Sequence, residues 1–74
     1  MVFPNPAHDR VILQATETIK NAAVYDMMGK LINAVQIDGQ TFEMDFSDYG
    51  NGMYFIKLQM ADGKSEVCRV AVAR

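Results

Sequence analysis

Apolar and polar residues alternate along much of this 74-residue chain, and short turn signals interrupt the alternation about every eight to twelve residues. Apolar side chains occupy every second position in residues 42–46, 54–60 and 68–72. A period of two places them on one face of a β-strand. Turn signals lie at residues 26–30, at Asn51-Gly52 and at residues 61–64. This pattern predicts an all-β domain, either a sandwich or a small barrel.

Residues 27–32 are the one place where a helix competes with a hairpin. Met27, Met28, Leu31 and Ile32 have the spacing of a helical stripe. However, Gly29 would then lie inside the helix, and no capping residue with a partner carboxylate opens the segment. Gly29 adopts positive φ without steric cost, as a tight hairpin turn requires, so we favour a hairpin.

Size and charge limit the classes of function. Half of the residues are apolar, which is enough for one domain with its own core. We expect the methionines to fill gaps in that core. Six further residues are predicted to be buried: Val24, Tyr54, Ile56, Leu58, Val70 and Val72. The net charge of −2 and pI near 5.1 argue against nucleic acid or an anionic membrane surface as a partner.

No targeting or membrane-spanning segment is recognisable in the sequence. There is no apolar run of the ~18 residues that a membrane span needs, and no secretory signal peptide opens the chain. Met1 directly precedes a proline-rich stub, so we interpret it as a start residue added to a single domain, residues 1–74, taken from a larger protein.

Candidate catalytic and metal-binding residues are few. His8 is the only histidine and Cys68 the only cysteine, so no disulfide can form within the chain. We expect His8 to be a solvated turn residue and Cys68 to face the core. Ser47 and Ser65 lack the flanking glycines of a nucleophile elbow. We therefore predict a non-catalytic domain without a cofactor.

Two binding interpretations have simpler alternatives. The carboxylates do not follow a calcium-loop pattern and are read as solvent-facing: Asp38, Glu43, Asp45 and Asp48. Four aromatic residues would suit a sugar-binding face, but aromatic residues of a small sandwich are more often core: Tyr25, Tyr49, Tyr54 and Phe55.

The opening stub has a local explanation. Pro4 and Pro6 each fix φ near −65° and push the preceding residue into extended conformations. Asn5 followed by Pro6 suits a type I turn. We therefore expect a rigid, extended lead-in that the prolines keep from folding back into the sheet.

Four ordered segments resemble the C-terminal sorting domains of the type IX secretion system. Residues 3–13, "FPNPAHDRVIL", resemble that family's opening YPNPA and D-x-V-x-I motif. "VYDMMGKLI" resembles its V-Y-D-x-x-G-K/R-x-V block. "MDFSDYGNGMYFIKL" and "GKSEVCRVAVAR" resemble its third and closing blocks. The departures are modest, such as Phe3 for tyrosine and Arg69 for lysine.

The resemblance implies a fold and a role. Combined with the strand spacing, it predicts an immunoglobulin-like antiparallel β-sandwich of about seven short strands. It implies a signal that directs an upstream cargo from the periplasm through the outer-membrane translocon to the cell surface of a Gram-negative bacterium. A surface sortase would remove the domain by a cut upstream of Val2. The partners would be the translocon, the sortase and the cargo.

Recognition is expected to use the motif positions and the last strand. An edge strand offers unpaired backbone groups, with Val70, Val72 and Arg74 supplying side-chain specificity. Loss of Arg74 alone should then barely affect folding. The expected motif residues are Pro4, Asn5, Pro6, Asp26, Gly29, Lys30, Gly52, Tyr54, Arg69, Val70, Val72 and Arg74. The alternative is a fibronectin-like adhesive or linker module that binds carbohydrate or protein.

Overall fold

The computed structural model describes residues 1–4 and 6–74, and all of its strands pair antiparallel. The five strands are β1 (Val2–Phe3), β2 (Arg10–Asp26), β3 (Leu31–Asp45), β4 (Gly52–Met60) and β5 (Ser65–Val72). The sheet order is β1-β2-β4-β5, with β3 also paired to β2. The all-β prediction is confirmed. The count of about seven strands is not, because the described residues form five.

Two long strands that bend without ending account for the lower count. In β2, buried positions are odd-numbered up to Ile19 and even-numbered from Ala22. A register shift lies between Ile19 and Asn21. An extra residue at such a bulge reverses which face each later side chain occupies. The sequence pattern changes phase at this point, but the strand continues.

A matching change of phase occurs in β3. Val35 and Ile37 face inward before Gly39, whereas Phe42 and Met44 face inward after it. Gly39 is the register partner of Ile19, so both strands bend at the same place, which we call the corner. Buried side chains from both sides of the corner join one core. The sheet therefore curls over on itself, and bends of this kind form the corners of packed sheets.

The core agrees with the sequence prediction at every named position. Fully or almost fully buried are Val24, Tyr54, Ile56, Leu58, Val70 and Val72. The prediction for the methionines is right for Met44 and Met60. It is wrong for Met1, Met27 and Met28, which are 69%, 70% and 91% exposed, and Met53 is half-buried.

The connection between β2 and β3 is a tight hairpin turn, as the sequence predicts. Gly29 has a φ of +83°. The Asp26 carboxylate accepts hydrogen bonds from the backbone N–H groups of Met28 and Lys30, each at 2.9 Å. These bonds stabilise the turn conformation, because the short Asp26 side chain takes the place of a backbone acceptor.

The N-terminal stub differs from the expectation of a lead-in kept apart from the sheet. Val2 and Phe3 form β1 and pair with Leu13 and Ile12 of β2. Pro4 cannot donate a ladder hydrogen bond, so it lies just beyond the strand, exposed to solvent. The prolines therefore end the pairing but do not prevent it. The predicted turn at Asn5 lies outside the described residues.

Candidate recognition end of the sheet

Strand register brings parts of all four sequence blocks to one end of the sheet. Asp26 at the end of β2 is the partner of Tyr54, and Gly52 at the start of β4 is the partner of Val72. Val72 in turn forms a parallel bridge with Ala7. A continuous row thus runs from the β2–β3 hairpin to the N-terminal segment, and we call this region the motif end.

The N-terminal segment and the last strand are bonded directly to each other. The Ala7 N–H donates to the Ala71 carbonyl at 2.7 Å, and the Ala73 N–H donates to the Ala7 carbonyl at 2.9 Å. Ala7 itself is fully buried. Residues 7–9 and 72–74 together form what we call the terminal junction.

His8 and Asp9 extend the terminal junction. A His8 ring nitrogen, Nδ1, donates to the Ala73 carbonyl at 2.8 Å. The Asp9 carboxylate lies 3.3 Å from Nε of Arg74. His8 is exposed, as the sequence predicts, but its ring also holds the chain's last strand.

Arg74 is a structural clamp. Its guanidinium donates to the carbonyls of Phe46 and Tyr49, and its backbone N–H donates to Oδ1 of Asn51 at 3.0 Å. With the Asp9 contact, one residue thus joins the N-terminal segment to the loop between β3 and β4. A guanidinium suits this position because its fork of donors reaches several acceptors at once.

This arrangement corrects two expectations about the last strand. Arg74 is not a free basic end, so its loss should affect folding. Val70 and Val72 bury their side chains, at 0% and 3% exposure, so a partner of the folded domain would not meet them. Ala7 also occupies the edge of β5 at Val72.

Three aromatic rings fill the space beneath the clamped loop. The ring centroids of Phe46 and Tyr49 are 4.7 Å apart, and those of Tyr49 and Tyr54 are 5.5 Å apart. The Tyr54 hydroxyl donates to the Gly50 carbonyl at 2.8 Å. A buried tyrosine that bonds the backbone a few residues upstream is a known feature of immunoglobulin-like sandwiches. Gly52, two residues before Tyr54, has a φ of +146°, a backbone conformation that favours glycine.

The four aromatic residues considered for a sugar-binding face do not form one surface. Tyr54 is buried and Tyr49 packs against the core, in agreement with the core interpretation. Tyr25 and Phe55 are half-buried register partners on β2 and β4, at positions that alternate with the buried ones.

The hairpin tip is the exposed apolar feature that the sequence reasoning missed. Met27 and Met28 lie mostly in solvent beside Leu31, which is 53% exposed. Together with residues 51–54, the tip lines an open cleft of about 250 Å³. The signal that could have revealed it is the position of both methionines beside the turn glycine, where neither can reach the core.

The remaining motif residues lie around this end or nearby. Lys30 is exposed at the turn, and Pro4 and Pro6 are exposed beside the terminal junction. Arg69 is exposed on β5 as the register partner of Phe55. Asn5 lies outside the described residues.

Comparison with known families gives a match over nearly the whole chain. The model of the secretion system C-terminal sorting domain matches residues 1–72. The chain belongs to this family. No curated protein matches it significantly. The family is that of the type IX secretion sorting signals, which direct bacterial proteins to the cell surface or outside.

The sorting-signal domain family is non-catalytic. Burial raises the pKa of the Cys68 thiol, and the nearby Glu66 carboxylate adds to this effect. A raised pKa leaves less of the reactive thiolate. Among residues 1–4 and 6–74, no group of three or more histidine, cysteine, aspartate or glutamate side chains is placed to hold a metal ion. The same residues contain no helix able to cross a membrane.

Proposed function

We propose that the domain directs an upstream cargo through the type IX outer-membrane translocon and is then cut off by a surface sortase. In this role it performs no chemistry, and the catalysis belongs to the sortase. The observation that carries the proposal is the convergence of the four family-like blocks at the motif end, which gives a partner one contiguous surface to read.

Within the motif end, the hairpin tip is the part that a partner would contact. Clustered exposed apolar side chains on small soluble domains mark interaction sites. Met27, Met28 and Leu31 supply such a cluster, and Lys30 places a charge at its rim. Methionine suits this use because its flexible thioether adapts to different partner surfaces. The terminal junction has a supporting role, since its polar groups already bond one another.

The pairing of β1 with β2 also limits where a sortase could cut the chain. A protease binds its substrate as an extended segment, and Val2 and Phe3 are already held in a ladder with β2. The cut therefore falls upstream of Val2, in a linker between cargo and signal.

A reporter fusion tests the function. A periplasmic reporter, followed by the native linker and residues 2–74, is expressed in a host with a type IX system. We expect the reporter at the cell surface without the domain, measured by surface labelling and by the mass of the exported protein. A reporter that stays periplasmic with a folded, intact domain would contradict the proposal and favour the adhesive-module alternative.

The double variant Met27→Gln, Met28→Gln tests the hairpin tip. Both side chains are exposed, so the free energy of unfolding should change by less than ~0.5 kcal/mol, while export should fall several-fold. The control is Val67→Thr, an isosteric change of an exposed residue on β5, which should leave export unchanged. Full export of the folded methionine variant would exclude the tip as the contact.

A further inference from the structure

A strip of β2 close to the start of the chain has no registered partner strand among the described residues. Pairing of β2 with β1 and β3 reaches Gln14, and pairing with β3 and β4 resumes at Ile19. Residues 15–18 lie between these two points and belong to the strand. Such an edge accepts an added strand readily.

Met1 pairs with Gln14, the residue that directly precedes this strip, so backbone extended before Met1 would run alongside the strip. The Gln14 N–H donates to the Met1 carbonyl at 2.8 Å, and the nitrogen of Met1 donates to the Gln14 carbonyl at 2.5 Å. Residues that exchange both bonds form a hydrogen-bonded antiparallel pair. Because β1 and β2 are antiparallel, residues placed before position 1 would lie opposite Ala15, then Thr16, then Glu17.

An open cleft already exists along that path. It has a volume of about 650 Å³ and is lined by Met1, residues 14–17, Met60, Asp62 and residues 64–66. Farther along β2, the Thr18 carbonyl already accepts a hydrogen bond from the Ala61 N–H at 2.9 Å, which limits the length of an added strand. Three positions of β2, residues 15–17, therefore remain between Gln14 and this contact. The Thr16 carbonyl accepts one bond from the Gln40 side chain, which leaves its second lone pair for another donor.

We infer that the upstream linker of the parent protein continues β1 into this cleft and pairs with residues 15–17 of β2. The inference rests on the proposed function, which requires a linker between cargo and signal. Glu17, Asp62 and Glu66 outnumber Lys64 around the cleft, so it favours a neutral or basic segment over an acidic one. The last three linker residues are then held in the sheet, and the sortase cuts farther upstream.

Hydrogen exchange measured by NMR tests the pairing without any secretion. The domain, with Met1 kept at position 1, is prepared with the eight residues that precede it in its parent protein, and separately with a Gly-Ser segment of the same length. We expect the Thr16 amide to exchange about tenfold more slowly with the native segment. Hydrogen-bonded positions alternate along an antiparallel pair, so Thr16, two residues after Gln14, is the position whose N–H faces the added strand. Equal exchange in the two proteins overturns the inference.

A matched pair of variants at position 1 checks the register. Met1→Pro in the natively extended domain removes the N–H that donates to Gln14 and should abolish the added protection. Met1→Ala keeps that N–H and should retain it. Unchanged amides in β4 and β5 show that both variants are folded. Protection that persists in the proline variant contradicts the pairing.

Two further outcomes are separable. Protection that rises with protein concentration means that a second copy fills the cleft, which overturns the inference. If the reporter is exported but the Thr16 amide is unprotected, only this inference fails. If the Thr16 amide is protected and the reporter stays periplasmic, the proposed function fails.

Discussion

The terminal junction and the hairpin tip lie at the same end of the sheet but are built in opposite ways. The junction ties residues 7–9 to residues 72–74 through backbone bonds, a histidine and an arginine. The tip presents Met27 and Met28 to solvent and is held only by its own turn. Both regions carry family-like motifs, so the resemblance alone does not separate residues that hold the domain together from residues that meet a partner.

The contrast assigns different consequences to the two regions. Changes at the junction remove hydrogen bonds that join the two ends of the domain, and they should lower the free energy of unfolding. Changes at the exposed tip should leave stability nearly intact unless they disturb the turn. Four measurements test this division.

The largest effect is expected where the junction meets the core. Phe46 is fully buried and its ring contacts Tyr49 and Tyr54. Phe46→Ala should cost ~3–5 kcal/mol, which is comparable to the whole stability of a domain this small. Chemical denaturation should show a largely unfolded variant. The tip control, Met28→Ala, should unfold at the parent's midpoint, and equal midpoints for both variants would refute the division.

Arg74→Ala should have the next largest effect. The substitution leaves the carbonyls of Phe46 and Tyr49 without their charged donor, and we expect a loss of ~1–3 kcal/mol in urea unfolding. Arg74→Lys keeps the charge but lacks the donor fork, so it should fall between alanine and the parent. An alanine variant as stable as the parent would show that Arg74 is a free terminal residue after all.

Gly29→Ala tests the turn of the hairpin tip. An added Cβ would meet no atom within 4 Å, so the cost comes only from the positive φ of +83°. Forcing alanine into that conformation should cost ~1–2 kcal/mol. Gly39→Ala is the matched control, because its surroundings are equally open and its φ lies outside the range that disfavours L-residues. Equal stabilities for the two variants would contradict the role of Gly29.

The smallest effect concerns pH. Hydrogen bonds from the Ser47 side chain and backbone hold the pKa of Asp45 below its ordinary value of 3.8. A carboxyl whose pKa is lowered by folding stabilises the folded state above the ordinary pKa, and this contribution is lost as the pH falls through the lowered value. Asp45→Asn should therefore flatten the fall of stability between neutral pH and the region below pH 3.8. The slope should be unchanged if the Ser47 bonds do not form.

The sequence predicts those features that depend on local pattern. Alternation in residues 54–60 and 68–72 identifies the buried faces of β4 and β5, and Gly29 identifies the hairpin turn. In both cases the physical cause acts over a few neighbouring residues, so the chain itself displays it.

Features that depend on distant partners escape the sequence reasoning. β1 is a strand because its two residues pair with residues eleven and nine positions later, not because of its own short sequence. At the corner, near Ile19 and Gly39, the alternation of buried and exposed positions changes phase. From the sequence alone, such a change suggests that one strand ends and another begins. A charged terminal residue such as Arg74 is expected in solvent by default, and only the fold reveals the carbonyls that it meets.

The bridge between Ala7 and Val72 has a consequence for biogenesis. The two residues are separated by almost the entire chain, so their contact closes one of the longest loops that the domain can form. Contacts of such high sequence separation form slowly and late. A ribosome delivers the chain from its N-terminus, so this closure must wait until Val72 has emerged. A chain truncated before Val72 never achieves it, so the closed domain reports that synthesis has continued past β5.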